Sequence, residues 1–427
     1  MSELPKGWAE VPLNVLGDVV TGSTPPTKQA ECWGGTIPFV TPGDLFHAGR
    51  VRATKRTVTE AGADRGRPIP PGSVMVTCIG NIGRVSIATE MSVTNQQINS
   101  VIPTDAVEGH YLMYSLCSPH SQLQMQALSS ATTVAILNKA RFSSLPIPVA
   151  PIEEQRRIVD AIEEHFSRID AAEKSLRYAR KSTHVLRRLM LERSIGPLQP
   201  TRRLAEVATT QSGGTPSRGN PAYFGGDIPW IKSGELGDGE VSATAEAITP
   251  LALKESSAKL IKRGTLLMAM YGATIGKLGV VGMESAATNQ AVCAITPNDP
   301  ASTDYLWQVL LWKRPELVAQ GKGGAQPNIS QGLIRDLLIP YPPIADQERV
   351  VAQVQAANVV ADRVNDSVDK ALSRIPIVRQ TLLLQAFSGK LVAQDPDEEP
   401  ASVLPERKQG GQNESPGGNA RRKKVTA

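Results

Sequence analysis

The sequence predicts an α+β protein: two similar mixed α/β domains separated by two long helices that pair as an antiparallel coiled coil, a pseudo two-fold internal repeat. Three observations predict it. The first is that the chain says nearly the same thing twice, about 190 residues apart. GSTP at 22–25 returns as GGTP at 213–216, WGGTIPF at 33–39 as FGGDIPW at 224–230, and TNQ at 94–96 as TNQ at 288–290. LPIPVAPIEEQRRIV at 145–159 returns as LLIPYPPIADQERVV at 337–351. The second is that each copy then opens a long charged stretch of helical period. The third is that the text before each stretch is rich in Gly, Pro, Ser and Thr with short apolar runs, the pattern of strands and turns. A period this long is no solenoid but a duplicated domain-plus-helix unit. Two related domains imply two related binding events, and the natural two-fold ligand is double-stranded DNA.

Residues 1–150 form the first domain, with strand-like runs such as SVMVT (73–77) and VSIA (85–88) and a short helical stretch near 109–128. Pro146, Pro148 and Pro151 close it, because proline blocks helix and ladder alike. The first spacer helix occupies 151–196. From Ile152 to Ile195 there is no Pro or Gly, and Glu153 and Glu154 lie in the first turn, where acids suit the helix dipole. Its heptad reads Ile158, Ile162, His165, Ile169, Ala172, Leu176, Ala179, Thr183, Leu186, Met190, and Gly196-Pro197 stops it. Residues 197–343 repeat the first domain.

The second spacer helix, 344–392, reads Val350, Val354, Ala357, Ala361, Val364, Val368, Ala371, Ile375, Val378, Leu382. Some 44 residues at 1.5 Å rise give each helix roughly 65 Å. Antiparallel pairing would put one domain at each end. Pro376 interrupts the second helix at a cost of about 3 kcal/mol, so a bend or restart is expected there, with the helix ending near Ser388-Gly389. The remainder, 393–427, carries DPDEEP, GGQNESPGGNA and RRKK at 421–424, and reads as a disordered basic tail.

Composition narrows the function classes. No run of about 18 apolar residues occurs, so no transmembrane helix or membrane partner is expected, and the opening MSELPKGWAEV lacks a signal peptide's basic and apolar segments. A cytoplasmic protein is the expectation. Cys32, Cys78, Cys117 and Cys293 lack metal-ligand spacing and read as free thiols in a reducing compartment. A net charge of +5 and a pI near 9 permit nucleic-acid binding without demonstrating it.

The opening LPKGWAEVPL, the twin G(S/G)TP and (W/F)GG-x-IP(F/W) signatures, the paired PI-x-(E/D)Q-x-R-(I/V)V helix starts and the closing AFSGKLVAQ resemble the specificity subunit of type I restriction–modification enzymes, HsdS. The resemblance covers the chain to about residue 395. It implies two target recognition domains, each reading a short half-site of double-stranded DNA. It also implies spacer helices that set the gap and dock two adenine methyltransferase subunits, with restriction/translocase subunits able to join. S-adenosylmethionine, ATP and Mg are then expected only on partner subunits, and no cofactor or metal on this chain.

No catalytic constellation assembles from spacing. NPAY at 220–223 superficially matches a methyltransferase's (N/D)PP(Y/F), but no F-x-G-x-G precedes it, and a turn is the better reading. GATIGK at 272–277 has one residue too few between its glycines for a phosphate loop, and its counterpart is GNIGR at 80–84; two tight turns explain both. Five scattered histidines give no triad or metal cluster.

DNA contacts are expected from polar loops that recur in both domains, because bases are read by Arg, Lys, Asn, Gln, Ser and Thr and phosphates attract cations. The candidates are Ser23, Thr24, Lys28, Thr41, Asn81 and Arg84 in the first domain, and Thr215, Ser217, Arg218, Lys232, Ser233 and Lys277 in the second. Arg84 and Lys277 sit in matching turns and suit phosphate. The bland alternative is that Thr and Ser beside Pro cap turns, and that Asn95-Gln96 and Asn289-Gln290 tie down backbone. Arg156, Arg157, Arg180, Lys181, Arg187 and Arg188 read as a solvated helix face, some meeting the methyltransferase or the DNA gap. A target bipartite and asymmetric, with one methylatable adenine per half-site on opposite strands, follows from two non-identical domains. The rivals are a coiled-coil adaptor bridging proteins without DNA readout, and a self-sufficient methyltransferase or nuclease.

Overall fold

The recurring motifs become the same structural joints in two units. The computed structural model describes residues 4–51, 53–130, 134–320 and 328–403. One unit runs up to Ser175 and resumes from Ala371; the other is Leu176–Lys370.

In the first unit a five-stranded sheet has the order Gly17–Thr21, Ile98–Pro103, Val74–Thr77, Val85–Ala88, Gly49–Val51, antiparallel except for the last pair. A four-stranded sheet has the order Arg56–Val58, Trp33–Val40, Ser92–Thr94, Pro68–Ile69, with its central pair parallel. The second unit repeats both: Ala208–Ser212, Val292–Pro297, Leu266–Ala269, Leu278–Val281, Gly239–Val241, and Ala247–Ile248, Phe224–Ile231, Ser285–Thr288, Leu260–Lys262. The parallel pairs fall at the same places in the order.

Each signature has a local physical reason. In WGG the first glycine, Gly34, has φ +80°, and in FGG Gly225 has φ +78°, a left-handed conformation that L side chains resist. There the strand bulges: Trp33 and Ile37 both pair with Val58, as Phe224 and Ile228 both pair with Ile248. The glycine of G(S/G)TP is demanded by crowding. A Cβ on Gly22 would lie 2.2 Å from the Asn95 carbonyl oxygen, and one on Gly213 2.2 Å from that of Thr288.

The proline cluster does not end the ladder as expected. Pro146–Val149 forms a two-stranded ribbon with Ala9–Pro12. Because Leu13 N–H donates to the Leu145 carbonyl (2.9 Å), the bonded rungs fall at Val11↔Ile147 and Ala9↔Val149. Pro146 and Pro148 then occupy positions where no N–H is needed. Tyr111 Oη donates to the Pro148 carbonyl (2.9 Å), and its counterpart Tyr305 Oη to that of Pro340 (3.0 Å). The glutamine of the helix-start motif is buried: Gln155 Nε2 donates to the Ala150 carbonyl (2.9 Å) and Gln347 Nε2 to that of Pro342 (2.8 Å).

The first long helix is Ile152–Ile195 and the second Ile344–Ala386. Both contribute to the core of each unit. Ile158, Ile162 and Phe166 join Leu382, Leu383 and Ala386 under the five-stranded sheet of the first unit, while Leu191 and Ile195 join Val350 and Val354 in the second. The segments run antiparallel. Asp170 pairs with Arg379 in the first unit, and the equivalent Asp362 pairs with Arg187 in the second, where Arg180 also meets Asp369 at 3.1 Å.

Three expectations are corrected. The buried seam is not the strict heptad: His165, Leu186, Val364 and Val378 are exposed, and their C-terminal neighbours Phe166, Arg187, Asn365 and Arg379 face inward. A helix of 3.6 residues per turn drifts about 20° per heptad, so a seam counted from Ile158 slips off the contact line. The helix does not restart at Pro376, which lies inside it; only one N–H, that owed to the Leu372 carbonyl, is missing. It ends near Gly389, at φ +68°, with Lys390 N–H donating to the Gln385 carbonyl (2.9 Å). The disordered tail was expected from residue 393, yet Asp395–Val403 packs on the first unit. Ala401 is buried with its N–H on the Gly7 carbonyl (2.8 Å), and Glu398 pairs with Arg157. The rest of that stretch, including RRKK at 421–424, lies outside the described residues.

Candidate nucleic-acid interface

In the first unit the loop after the strand Gly17–Thr21 meets the segment at 94–98, and the loop after Trp33–Val40 meets the hairpin turn at 80–84. Thr24 Oγ1 donates to Gln96 Oε1 (2.7 Å), and Ser23 N–H to the Thr94 carbonyl (2.8 Å), so GSTP is tied to TNQ. Thr41 is also engaged: its hydroxyl and N–H both donate to Asp44 Oδ2, at 2.6 and 2.9 Å. Arg84 reaches from the turn to the Pro42 carbonyl (3.4 Å), and Asn81, with its amide oxygen turned toward Arg84, accepts from Nε and Nη2 at 3.2 Å each. Asn81, Arg84 and Thr41 are thus brought together. Lys28 is exposed and makes no ion pair with a described residue.

The second unit repeats the scaffold with other side chains. Thr215 Oγ1 donates to Gln290 Oε1, the equivalent of Thr24 to Gln96. Thr274, in the turn at 272–277, donates to the Ser233 carbonyl (2.8 Å), linking that turn to the loop that holds Lys232. Lys277 precedes its strand as Arg84 does: Ala269 N–H donates to the Lys277 carbonyl (2.9 Å) and Thr77 N–H to that of Arg84 (3.0 Å). Lys277 and Ser217 are exposed, Lys277 with no ion pair to a described residue.

Beside these loops each unit carries an edge-on aromatic pair capped by an arginine. Trp33 and Phe39 lie 5.0 Å apart, with the Arg56 guanidinium 3.6 Å from the Trp33 ring centre. Phe224 and Trp230 lie 6.0 Å apart, with Arg218 at 4.6 and 5.3 Å from their ring centres. Stacking orients a guanidinium and leaves its edge free to donate. Arg56 comes from the strand Arg56–Val58, whereas Arg218 comes from the turn between the strands Ala208–Ser212 and Phe224–Ile231. The position of Arg56 is held in the second unit by Glu246: Thr54 Oγ1 donates to the Arg56 carbonyl (2.7 Å) and Thr244 Oγ1 to that of Glu246 (2.8 Å). The Glu246 carboxylate meets Arg218 and Lys232, each at 2.7 Å. Those two cations hold its pKa down to about 2, Arg218 contributing most.

The two stretches that superficially match catalytic signatures are turns. NPAY is a capped turn over Pro221–Tyr223, in which Asn220 Oδ1 accepts from Ala222 N–H (3.1 Å). GNIGR and GATIGK are hairpin turns. Among the described residues no group of His, Cys, Asp or Glu is placed to hold a metal. The four cysteines are free and buried, and burial pushes the Cys78, Cys117 and Cys293 thiols up to about 12. Among the described residues no helix is long and apolar enough to cross a membrane.

The model of the type I restriction modification DNA specificity domain matches residues 5–177 and again 199–356. The chain belongs to this family. It is 24% identical over 419 residues to the type I restriction enzyme MjaIX specificity subunit of Methanocaldococcus jannaschii, covering 92% of this chain and 95% of that one. The HindI specificity subunit of Haemophilus influenzae is 32% identical over 172 residues, 38% of this chain and 37% of that one. Among solved structures, a chain from work on complex assembly and conformational transition of the type I R-M system has a TM-score of 0.72 at 20% identity, covering 91% of this chain and 100% of the other. The HsdS subunit from Thermoanaerobacter tengcongensis has a TM-score of 0.59 at 19% identity, covering 91% and 98%. The adaptor reading finds no counterpart in a family of DNA specificity domains.

In these two specificity domains the sequence motifs missed Glu246, which binds Arg218 and Lys232 together, and Arg56, which caps the aromatic pair of the first unit. Arg56 and Glu246 stand outside the recurring motifs because the two copies differ there in sign of charge. The signal was available: threonine two residues earlier, at 54 and 244, aligns them once the strands are paired. Of the helix cations, Arg156 pairs with Glu153 (2.6 Å), and Arg157, Arg180 and Arg187 are engaged as described above. Lys181 and Arg188 are exposed without an ion pair to a described residue.

Proposed function

We propose that this chain is the DNA sequence-specificity subunit of a type I restriction–modification complex, each specificity domain reading one half of a bipartite, asymmetric site. One observation carries the reading: a single scaffold of loops, hairpin turn and arginine-capped aromatic pair is built twice and dressed with different polar residues. Equal scaffolds approach equal surfaces of the duplex, and unequal side chains read unequal bases. Ser23, Lys28, Asn81, Arg84, Ser217, Arg218, Lys232, Ser233 and Lys277 supply the contacts, with Arg84 and Lys277 on phosphate. Thr24, Thr41 and Thr215 shape the loops, since their hydroxyls already have partners.

The long helices fix the gap between half-sites and dock two methyltransferase subunits. Exposed apolar pairs at equivalent positions support that role, Val185 and Leu186 in one unit and Ile377 and Val378 in the other. The domains divide as 1–150 and 197–343 for recognition, with 151–196 and 344–392 as spacers. The subunit is non-catalytic and cytoplasmic. S-adenosylmethionine serves the methyltransferase subunits, and ATP and Mg the restriction/translocase subunits. Selection of the full chain against a pool of randomised duplexes tests this: two different short blocks at a constant spacing are expected. Enrichment of one continuous palindrome, or of nothing, overturns it.

A further inference from the structure

The two specificity domains reach the same local net charge by different means, and the difference assigns a role to Glu246. Over the first aromatic pair stands Arg56 without an ion pair to a described residue. Over the second stand Arg218 and Lys232, both on Glu246. Arg56 in the first unit, with no ion pair to a described residue, corresponds to two cations and an acid in the second. Both sets come to a single positive charge, so bulk attraction for phosphate does not require the acid. The acid is nevertheless firmly placed: its own carbonyl accepts from Trp230 N–H (3.0 Å) and Thr244 Oγ1 (2.8 Å), which fixes the strand beneath it. Its carboxylate is partly exposed, with 31% of the side chain accessible, as is Arg218 at 58%. This ion pair faces water, and exposed pairs contribute little to stability.

We propose that Glu246 is a specificity-determining residue of the second domain: a counter-charge that holds Arg218 and Lys232 away from non-cognate duplexes and yields them only to a half-site whose partners match the carboxylate in strength and geometry. The proposal rests on the DNA-reading function above. A bare phosphate offers Arg218 no better geometry than Glu246 already gives. A guanine edge likewise presents two acceptors in the plane of the guanidinium, but unlike phosphate it does so at one base only, so the exchange is sequence-dependent. Discrimination by denying the wrong partner a charge is a general route to specificity, and the first domain, with Arg56 in that place, lacks it. Glu246 acts through Arg218 and Lys232, so its signature is a gain of indiscriminate binding rather than a loss of binding.

The test compares the full chain, its Glu246→Gln variant and its Arg218→Ala variant on a random-sequence duplex from about 50 to about 300 mM salt and on a randomised pool. Each freed cation that reaches a phosphate steepens the dependence of log affinity on log salt by about 0.9. Glu246→Gln is therefore expected to bind the random duplex roughly 10-fold tighter near 0.1 M salt, with a slope steeper by about 1–2. The pool should lose sequence preference in the half-site read by the second domain and keep it in the other. Arg218→Ala should bind the random duplex no tighter than the parent. Unchanged or weaker random-duplex binding by a folded Glu246→Gln chain overturns the proposal, as does loss of preference in both half-sites. A parent chain that binds no duplex in a salt-dependent way overturns the function instead, and the two failures are read from different samples.

Discussion

Replacing Ile162 by alanine tests where the first long helix meets its unit. Ile162 is fully buried among Val159, Phe166 and Leu382 in the first unit's core. The substitution removes three carbons, about 2.4 kcal/mol of transfer free energy at about 0.8 per methylene. A cavity term follows, because the sheet above cannot collapse into the gap, so the total is about 3–4 kcal/mol within the usual 2–5. A unit of this size loses about 2–4 °C per kcal/mol, which makes the shift roughly 10 °C. His165 is the control, since a heptad counted from Ile158 places it in the seam whereas the structure exposes it. His165→Ala should cost within about 0.5 kcal/mol. Scanning calorimetry of the two variants beside the parent decides. Equal losses at both positions, or a loss below about 1 kcal/mol at Ile162, would refute the packing described.

The tyrosines that lock the proline strands should differ in cost. Tyr111→Phe strands the Pro148 carbonyl and also the Ala150 N–H that donates to Tyr111 Oη (3.2 Å), whereas Tyr305→Phe strands the Pro340 carbonyl. About 2 kcal/mol against about 1 is expected in denaturant unfolding, the larger loss at Tyr111. Arg84→Ala and Lys277→Ala should each flatten the salt dependence of duplex binding by about 0.9 while leaving the selected sequence unaltered; a change of sequence would make them base contacts. Glu246 has a depressed pKa, so its ion pairs are complete above the unfolded carboxylate range and are lost only as pH falls toward about 2. The ratio of random-duplex affinities between Glu246→Gln and the parent should therefore stay constant from pH 5 to 8, a window chosen to lie above that range. A ratio that converges toward pH 5 would contradict the assignment.

Much of the fold was legible because the duplication repeats its structural joints word for word. Gly22 and Gly213, Gly34 and Gly225, Gln155 and Gln347 recur because backbone crowding, a bulge and a buried amide leave no other residue the place. Absence of Pro and Gly from 152 to 195 marked the first long helix for the reason that both residues weaken helices. The seam register was not legible, since Leu186 and Arg187 are neighbours and only tertiary contact with Asp362 chooses between them. Nor was the packing of Asp395–Val403, which depends on a Gly7 carbonyl and on Arg157 some 240 residues away. At the candidate interface the motifs marked the scaffold and not Arg56 or Glu246. These two escape any search for recurrence because equivalent positions carry opposite charges in the two copies.

The central claim, that one chain reads two different half-sites at a set spacing, is tested most directly by co-expression with the methyltransferase subunit in a methylation-free host and mapping of N6-methyladenine along the genome. The account predicts a two-part asymmetric motif with a constant gap, one modified adenine in each half on opposite strands, present only when this chain is present. Methylation that is independent of the chain, or confined to a continuous palindrome, would contradict it.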